Sequence, residues 1–224
     1  ALEKADKVLI AAGIKKKGEV KALYFMGDSQ AKKLAQAAYD NITDKKELQK
    51  LANADPSIDI ALFGRMVADD ASLNEDASAQ IAHAISTHGV QSEFDFYTAL
   101  DDLSKEDQSG AGMLGTIEYN SSTLYRYGNV ALHEFYHQLN ENKSQTIEAT
   151  KLFVEAFLNS LPTGKINSFA NQTVPSSVVI SLRKDRPVSF VSAFETAIKT
   201  KLSQEGFVNE SIEAMFKEHK NVQR

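Results

Sequence analysis

Two β-prone runs, residues 80–90 and 116–127, flank a segment of different chemistry, residues 91–115. The second run contains EYNSSTLYRY, rich in aromatic and strand-favouring side chains. The enclosed segment is acidic at both ends and aromatic in its middle (EFDFYTALDDL), and Gly110, Gly112 and Gly115 suggest a flexible return. This layout predicts two long paired strands with an insertion projecting from them.

Around that feature the pattern alternates between helix and strand. Residues 29–41 and 43–54 carry Leu34, Ala37, Ala38, Leu48 and Leu51 at helical spacing, with Ser29 and Thr43 as N-caps. Residues 15–18 read as a loop and 22–26 as a short strand. After Pro56, IDIALFGRM (58–66) reads as a buried strand, and 69–76 as a polar loop. Residues 144–161 predict an amphipathic helix with Ile147, Leu152, Phe153, Ala156, Phe157 and Leu161 on one side, stopped by Pro162. Residues 174–182 predict a strand, 188–202 a helix and 211–222 a last helix. Strands and helices alternate without dinucleotide-fold spacing, so the expected class is α+β.

Composition narrows the function. A chain of 224 residues can remove somewhat over about 70% of its unfolded surface from water. It contains no cysteine, which excludes a disulfide scaffold, a thiol nucleophile and a thiolate zinc site. No stretch approaches the roughly 18 apolar residues of a membrane span. The N-terminal residues are an interrupted amphipathic pattern and not a signal peptide, so a cytoplasmic protein is expected. Net charge is −5, which argues against nucleic acid. Residues 55–120 alone hold 2 basic and 13 acidic side chains, however, so the deficit is local and a basic strip elsewhere could still meet phosphates.

Three motifs imitate catalytic sites. His133-Glu134-Phe135-Tyr136-His137 matches H-E-x-x-H, in which two imidazoles one helical turn apart share a zinc ion and the Glu polarises its water. A third ligand is lacking at the usual spacing, because Asn140 and Lys143 stand there; Glu155 is the remaining option. A zinc-dependent hydrolase is therefore the alternative reading, and a helix with two unrelated histidines the favoured one. Gly110-Ala-Gly112-Met-Leu-Gly115 matches G-x-G-x-x-G, but a polar loop precedes it and a strand-like run follows, the reverse of a dinucleotide site. Gly164-Lys165 lacks both the first glycine, where Asn159 stands, and the magnesium-binding hydroxyl, where Ile166 stands. His83 and His88, five apart on a strand-like run, fall on opposite faces, which favours structural roles over a shared metal. No cofactor is expected.

Six segments occur here in a recognisable order: IDIALFGRM, QIAHAISTH, DFYTALDDL, GAGMLGTIEYNSSTLYRY, LPTGKINSFA and PVSFVSAFETAIK. Over about residues 58–202 the chain resembles the CasC family, the backbone subunit of the type I-E CRISPR surveillance complex Cascade. The resemblance implies a modified RNA-recognition-motif (ferredoxin-like) palm, a helical region and a projecting thumb. It places the helical region at 1–57, the palm at 58–80 and 117–224, and the thumb at 81–116. It implies a non-catalytic subunit whose copies polymerise along a guide RNA (crRNA), beside other Cascade subunits, so that the guide pairs with target DNA. Each thumb displaces one nucleotide at intervals.

The same resemblance nominates contact residues. Phe96, Tyr97, Thr98 and Leu100 fall where a thumb wedges against nucleotides, and aromatic stacking on a base is worth about 1–3 kcal/mol whatever its identity. Such tolerance suits a guide holder, because base pairing supplies the specificity. Met66 resembles the palm residue at the displaced nucleotide, and Lys199 with Lys201 a basic pair on a palm helix. Arg65 and Lys165 are further candidates for phosphate. The family's first strand, its basic segment of the SSQSLKR type and its usual C-terminal end have no counterpart in these residues, so a monomer is expected.

Overall fold

Gly27, Asp44 and Asn142 start three of the helices, and at each the backbone N–H groups left over by helix geometry find a side-chain partner. Gly27 N–H donates to Gln30 Oε1 at 3.0 Å at the start of α2 (Asp28–Tyr39). Asp44 accepts from Glu47 N at 2.9 Å before α3 (Lys45–Asn53), and Asn142 from Gln145 N at 3.1 Å before α6 (Lys143–Asn159). The predicted caps Ser29 and Thr43 thus lie two residues inside the first helix and one residue before the true cap of the second. The computed structural model describes residues 2–15, 23–99, 113–200 and 206–223. It divides into two compact units, Ala1–Ile81 with Gly128–Pro175, and Ala82–Tyr127 with Ser176–Arg224.

In the first unit, α1 (Leu2–Ala11), α2 and α3 close around Val8, Ala12, Leu34, Ala37, Leu48 and Leu73. A second cluster joins Ala61, Leu62, Ala79, Phe135, Leu139 and Ala149. The first three of these come from α4 (Ile58–Phe63) and β1 (Ala79–Ile81); the others come from α5 (Leu132–Gln138), the residue after it, and α6. The segment 58–63 is a helix and not the expected strand: six residues are too few to carry a clear period, and burial of Ile60, Ala61 and Leu62 satisfies either form. Gly64 ends it at φ 74°, and a Cβ there would meet the Glu75 carbonyl oxygen at 2.8 Å. This close approach lets Arg65 and Glu75 exchange both backbone hydrogen bonds, at 2.8 and 2.9 Å. On α6 the stripe facing the core is Thr146, Ala149 and Phe153; Ile147 and Leu152, expected on that face, fall on its flanks and stay exposed. β1 pairs antiparallel with β6 (Gly128–Val130).

The second unit is built on two antiparallel ladders. β2 (Ile85–Ser86) pairs with β5 (Leu124–Tyr125), and β3 (Glu93–Ala99) with β4 (Met113–Tyr119). From Ser86↔Leu124 to Glu93↔Tyr119 the first strand advances seven residues and the second five. The two long strands expected from sequence do not pair as one ladder: β3 lies inside the segment read as an insertion, and β4 begins there and runs on into the second predicted run. Residues 174–182, expected as a strand, form no regular element and pair with no strand among the described residues. Among the described residues 188–200, the expected helix reduces to one 3-10 turn, Val191–Phe194, after which Ile198 bridges His88. The last helix, α8, is Val208–Val222.

Candidate functional site

The β3–β4 ribbon grows from a root that uses every polar atom of the His88 ring. Its Nδ1 donates to Gly89 O at 2.8 Å, its Nε2 accepts from Thr123 N–H at 3.1 Å, and its ring stacks on Phe207 at 3.7 Å. These contacts fix the neutral Nδ1–H tautomer. Beside it, Ser211 of α8 donates to Thr87 Oγ1 at 2.8 Å, and Ile198 N–H to Thr87 O at 2.9 Å. Tyr125 adds a third tie, accepting from Phe190 N–H at 2.8 Å while its ring meets Phe194 at 5.2 Å.

Register then decides which side chains share a face, since residues directly opposite project together. Phe94, Phe96 and Thr98 lie with Glu118, Thr116 and Leu114 on one face. Phe94, Phe96 and Leu114 are each about two-thirds exposed, at 68, 69 and 70%. Glu93, Asp95 and Tyr97 share the other face with Tyr119, Ile117 and Gly115. There Tyr119 Oη donates to Glu93 Oε2 at 3.2 Å, and the Glu93 charge holds the phenol above its ordinary value. The nominated Phe96 and Tyr97 thus point to opposite sides of the ribbon, with Thr98 beside Phe96. Leu100 lies outside the described residues.

Sequence reading missed Phe94 and Leu114. The strand period in EFDF could have found Phe94; Leu114 reaches the same face only through cross-strand register, which no local pattern reveals. Gly115 belongs to β4, so it is no part of a flexible return. The described ribbon carries Glu93, Asp95 and Glu118 and no basic residue. What it offers a ligand is stacking surface, and phosphate neutralisation has to come from elsewhere.

The remaining candidates are carried by other segments. In the first unit, Met66 is 81% exposed while its neighbour Arg65 is 6% exposed. The Arg65 guanidinium donates to Asn53 Oδ1 at 2.7 Å, Leu73 O at 3.0 Å and Phe25 O at 3.3 Å, and lies 4.7 Å above the Tyr24 ring. Its charge is committed internally, and what it does is hold the chain that presents Met66. Lys165, also in this unit, is exposed, with φ 58° at the start of α7 (Ile166–Phe169). In the second unit, Lys199 is exposed and lies on no helix, next to the Ile198 bridge at the ribbon root. Lys201 lies outside the described residues.

The H-E-x-x-H segment is α5. Its buried stripe is Phe135 and Gln138, continued by Leu139, which leaves His133 and His137 exposed and Glu134 half-buried. Among the described residues no three His, Cys, Asp or Glu side chains are grouped to hold a metal ion. No described helix is long and apolar enough to cross a membrane.

A solved chain from a "CRISPR RNA-guided surveillance complex, pre-nicking" matches this fold with a TM-score of 0.83 and 26% identity, covering 100% of this chain and 68% of that one. A second, from a "CRISPR RNA-guided surveillance complex", matches with a TM-score of 0.65 and 35% identity, covering 74% of this chain and 62% of that one. The fold is thus that of protein chains found in RNA-guided CRISPR assemblies. A family model matches residues 1–224 throughout, and the chain belongs to the CT1975-like protein family. No curated protein matches.

Proposed function

We propose that this chain is a non-catalytic, guide-RNA-binding backbone subunit of a CRISPR antiviral surveillance complex of the Cascade type. Copies of it assemble along the crRNA with the other subunits, in the cytoplasm, and leave most guide bases free to pair with target DNA. The β3–β4 ribbon is the thumb, within residues 81–116 and the strand that returns from it. Residues 58–80 and 117–224 belong to an RNA-recognition-motif-like palm, and 1–57 form the helical region. The observation that carries this reading is the ribbon itself, a two-stranded projection whose bare side is Phe94, Phe96 and Leu114. Exposed aromatic surface of this kind suits sequence-tolerant contact with unpaired bases. Tyr97 and Thr98 take part from the same strand, Met66 from the palm, and Lys165, Lys199 and Lys201 meet phosphates. Similarity to chains of RNA-guided surveillance complexes supports the assignment.

The test is fluorescence anisotropy of labelled single-stranded RNA titrated with the full-length polypeptide at two salt concentrations. Binding is expected to tolerate sequence changes and weaken with salt. Phe96→Ala is expected to cost about 1–3 kcal/mol of affinity. Lys199→Glu with Lys201→Glu is expected to lower the salt slope, by about one for each phosphate that a lysine no longer neutralises. No binding at low salt would overturn the reading.

A further inference from the structure

Gly115 lies inside a strand, where no turn explains it. It is the third residue of β4, its φ lies outside the left-handed region, and it stands directly opposite Tyr97. A Cβ on Gly115 would lie 2.7 Å from the Tyr97 hydroxyl oxygen, 2.8 Å from Cζ and 3.0 Å from Cε1. Ordinary contacts begin near 3.4 Å, and two of the three atoms belong to the rigid ring. Backbone freedom does not account for a glycine here, whereas the room needed by the ring does. A glycine inside a strand otherwise weakens it, and an aromatic ring laid over the bare backbone offsets that loss. Tyr97 nevertheless keeps 38% of its surface open.

We propose that Gly115 is a positioning residue for RNA contact, the bare seat that lays the Tyr97 ring across the ribbon so that a nucleobase meets an aromatic surface already held in place. This rests on the guide-RNA reading and adds to it. A ring fixed before binding loses less freedom on stacking than one that must be ordered by the ligand. It also gives the ribbon two different sides: a bare one carrying Phe94, Phe96 and Leu114, and one whose aromatic surface depends on a cross-strand partner. Enlarging residue 115 displaces the Tyr97 ring without touching the other side.

The experiment is a double-mutant cycle on the full-length polypeptide, read as affinity for labelled single-stranded RNA, with urea unfolding as the control. Gly115→Val suits a strand, so the ribbon is expected to persist; Gly115→Ala is the milder variant if it does not. Gly115→Val and Tyr97→Ala are each expected to weaken binding roughly fivefold or more, in line with the worth of one stacked base. The double variant is expected to bind no worse than Tyr97→Ala alone, because the seat acts only through the ring. Unchanged affinity of a folded Gly115→Val, or losses that multiply in the double variant, would overturn the inference and leave the guide-RNA reading standing. Failure of the unaltered protein to bind RNA would overturn both.

Discussion

Arg65 shows how one side chain can serve a surface it does not reach. Its fork ties the chain before α2, the end of α3 and the 3-10 turn Ala71–Leu73 to the residue that precedes Met66. Arg65→Met leaves these acceptors without donors and is expected to cost about 3 kcal/mol. Arg65→Lys recovers only part of this, since a single ammonium cannot serve a fan of acceptors. Urea unfolding checks both; a neutral Arg65→Met would contradict the clamp. Asp55 gives a second residue-scale prediction. It sits at φ 51°, pairs with Lys33 and accepts from Asn140 Nδ2 at 2.7 Å. The Lys33 hydrogen bond, helped by Asn140, holds its carboxyl below the usual carboxylate range. That stabilisation is present above the unfolded-state value and is lost as pH falls through the lowered one. Asn tolerates the left-handed backbone, so Asp55→Asn removes the charge alone. Its expected cost is about 0.2–1 kcal/mol near pH 7, shrinking towards about pH 3. Unfolding midpoints at the two pH values decide it, and an equal loss at both would be contrary.

At the scale of elements, residues 174–182, expected as a strand, form no regular element. Val178, Ile180 and Leu182 repeat at the strand period and are 45, 73 and 84% exposed. Among the described residues their backbone has no strand partner. Unpaired edges with apolar side chains invite pairing with other chains. Ile180→Lys with Leu182→Lys is expected to leave unfolding free energy within about 0.5 kcal/mol, because both side chains already face water. Concentration-dependent association of the 224-residue chain is expected to fall, which sedimentation or light scattering would show. A large loss of stability would mean the two side chains are covered. The ribbon makes the opposite case: its seven-residue strands are fully laddered, and its root is locked by His88, Tyr125 and Ser211.

For the whole molecule, local sequence determined four of the longer helices. The periodicity of α2, α3, α6 and α8 was readable because each buries one stripe, and a stripe imposes its period on the sequence. The mixture of helices and strands was equally readable, as was the family, through six ordered segments. Tertiary structure decided what local pattern leaves open. The run 58–63 has no period of its own, so only its packing against α5 and β1 selects helix over strand. Residues 188–202 have helical spacing, yet Ile198 is drawn into a bridge with His88, far away in sequence. The same limit applies to the candidate site. Aromatic residues of the β3–β4 ribbon were legible by type, but which of them share a face follows from pairing across it. Arg65 looked like a surface cation because a charge usually seeks water; segments distant in sequence supply the acceptors that bring it inside. Sequence determined which segments could form helical stripes and which residues could offer stacking surface, because those depend on neighbours a few positions away. Register, and the burial of a charge, needed the fold, because their partners are set by contacts across the chain.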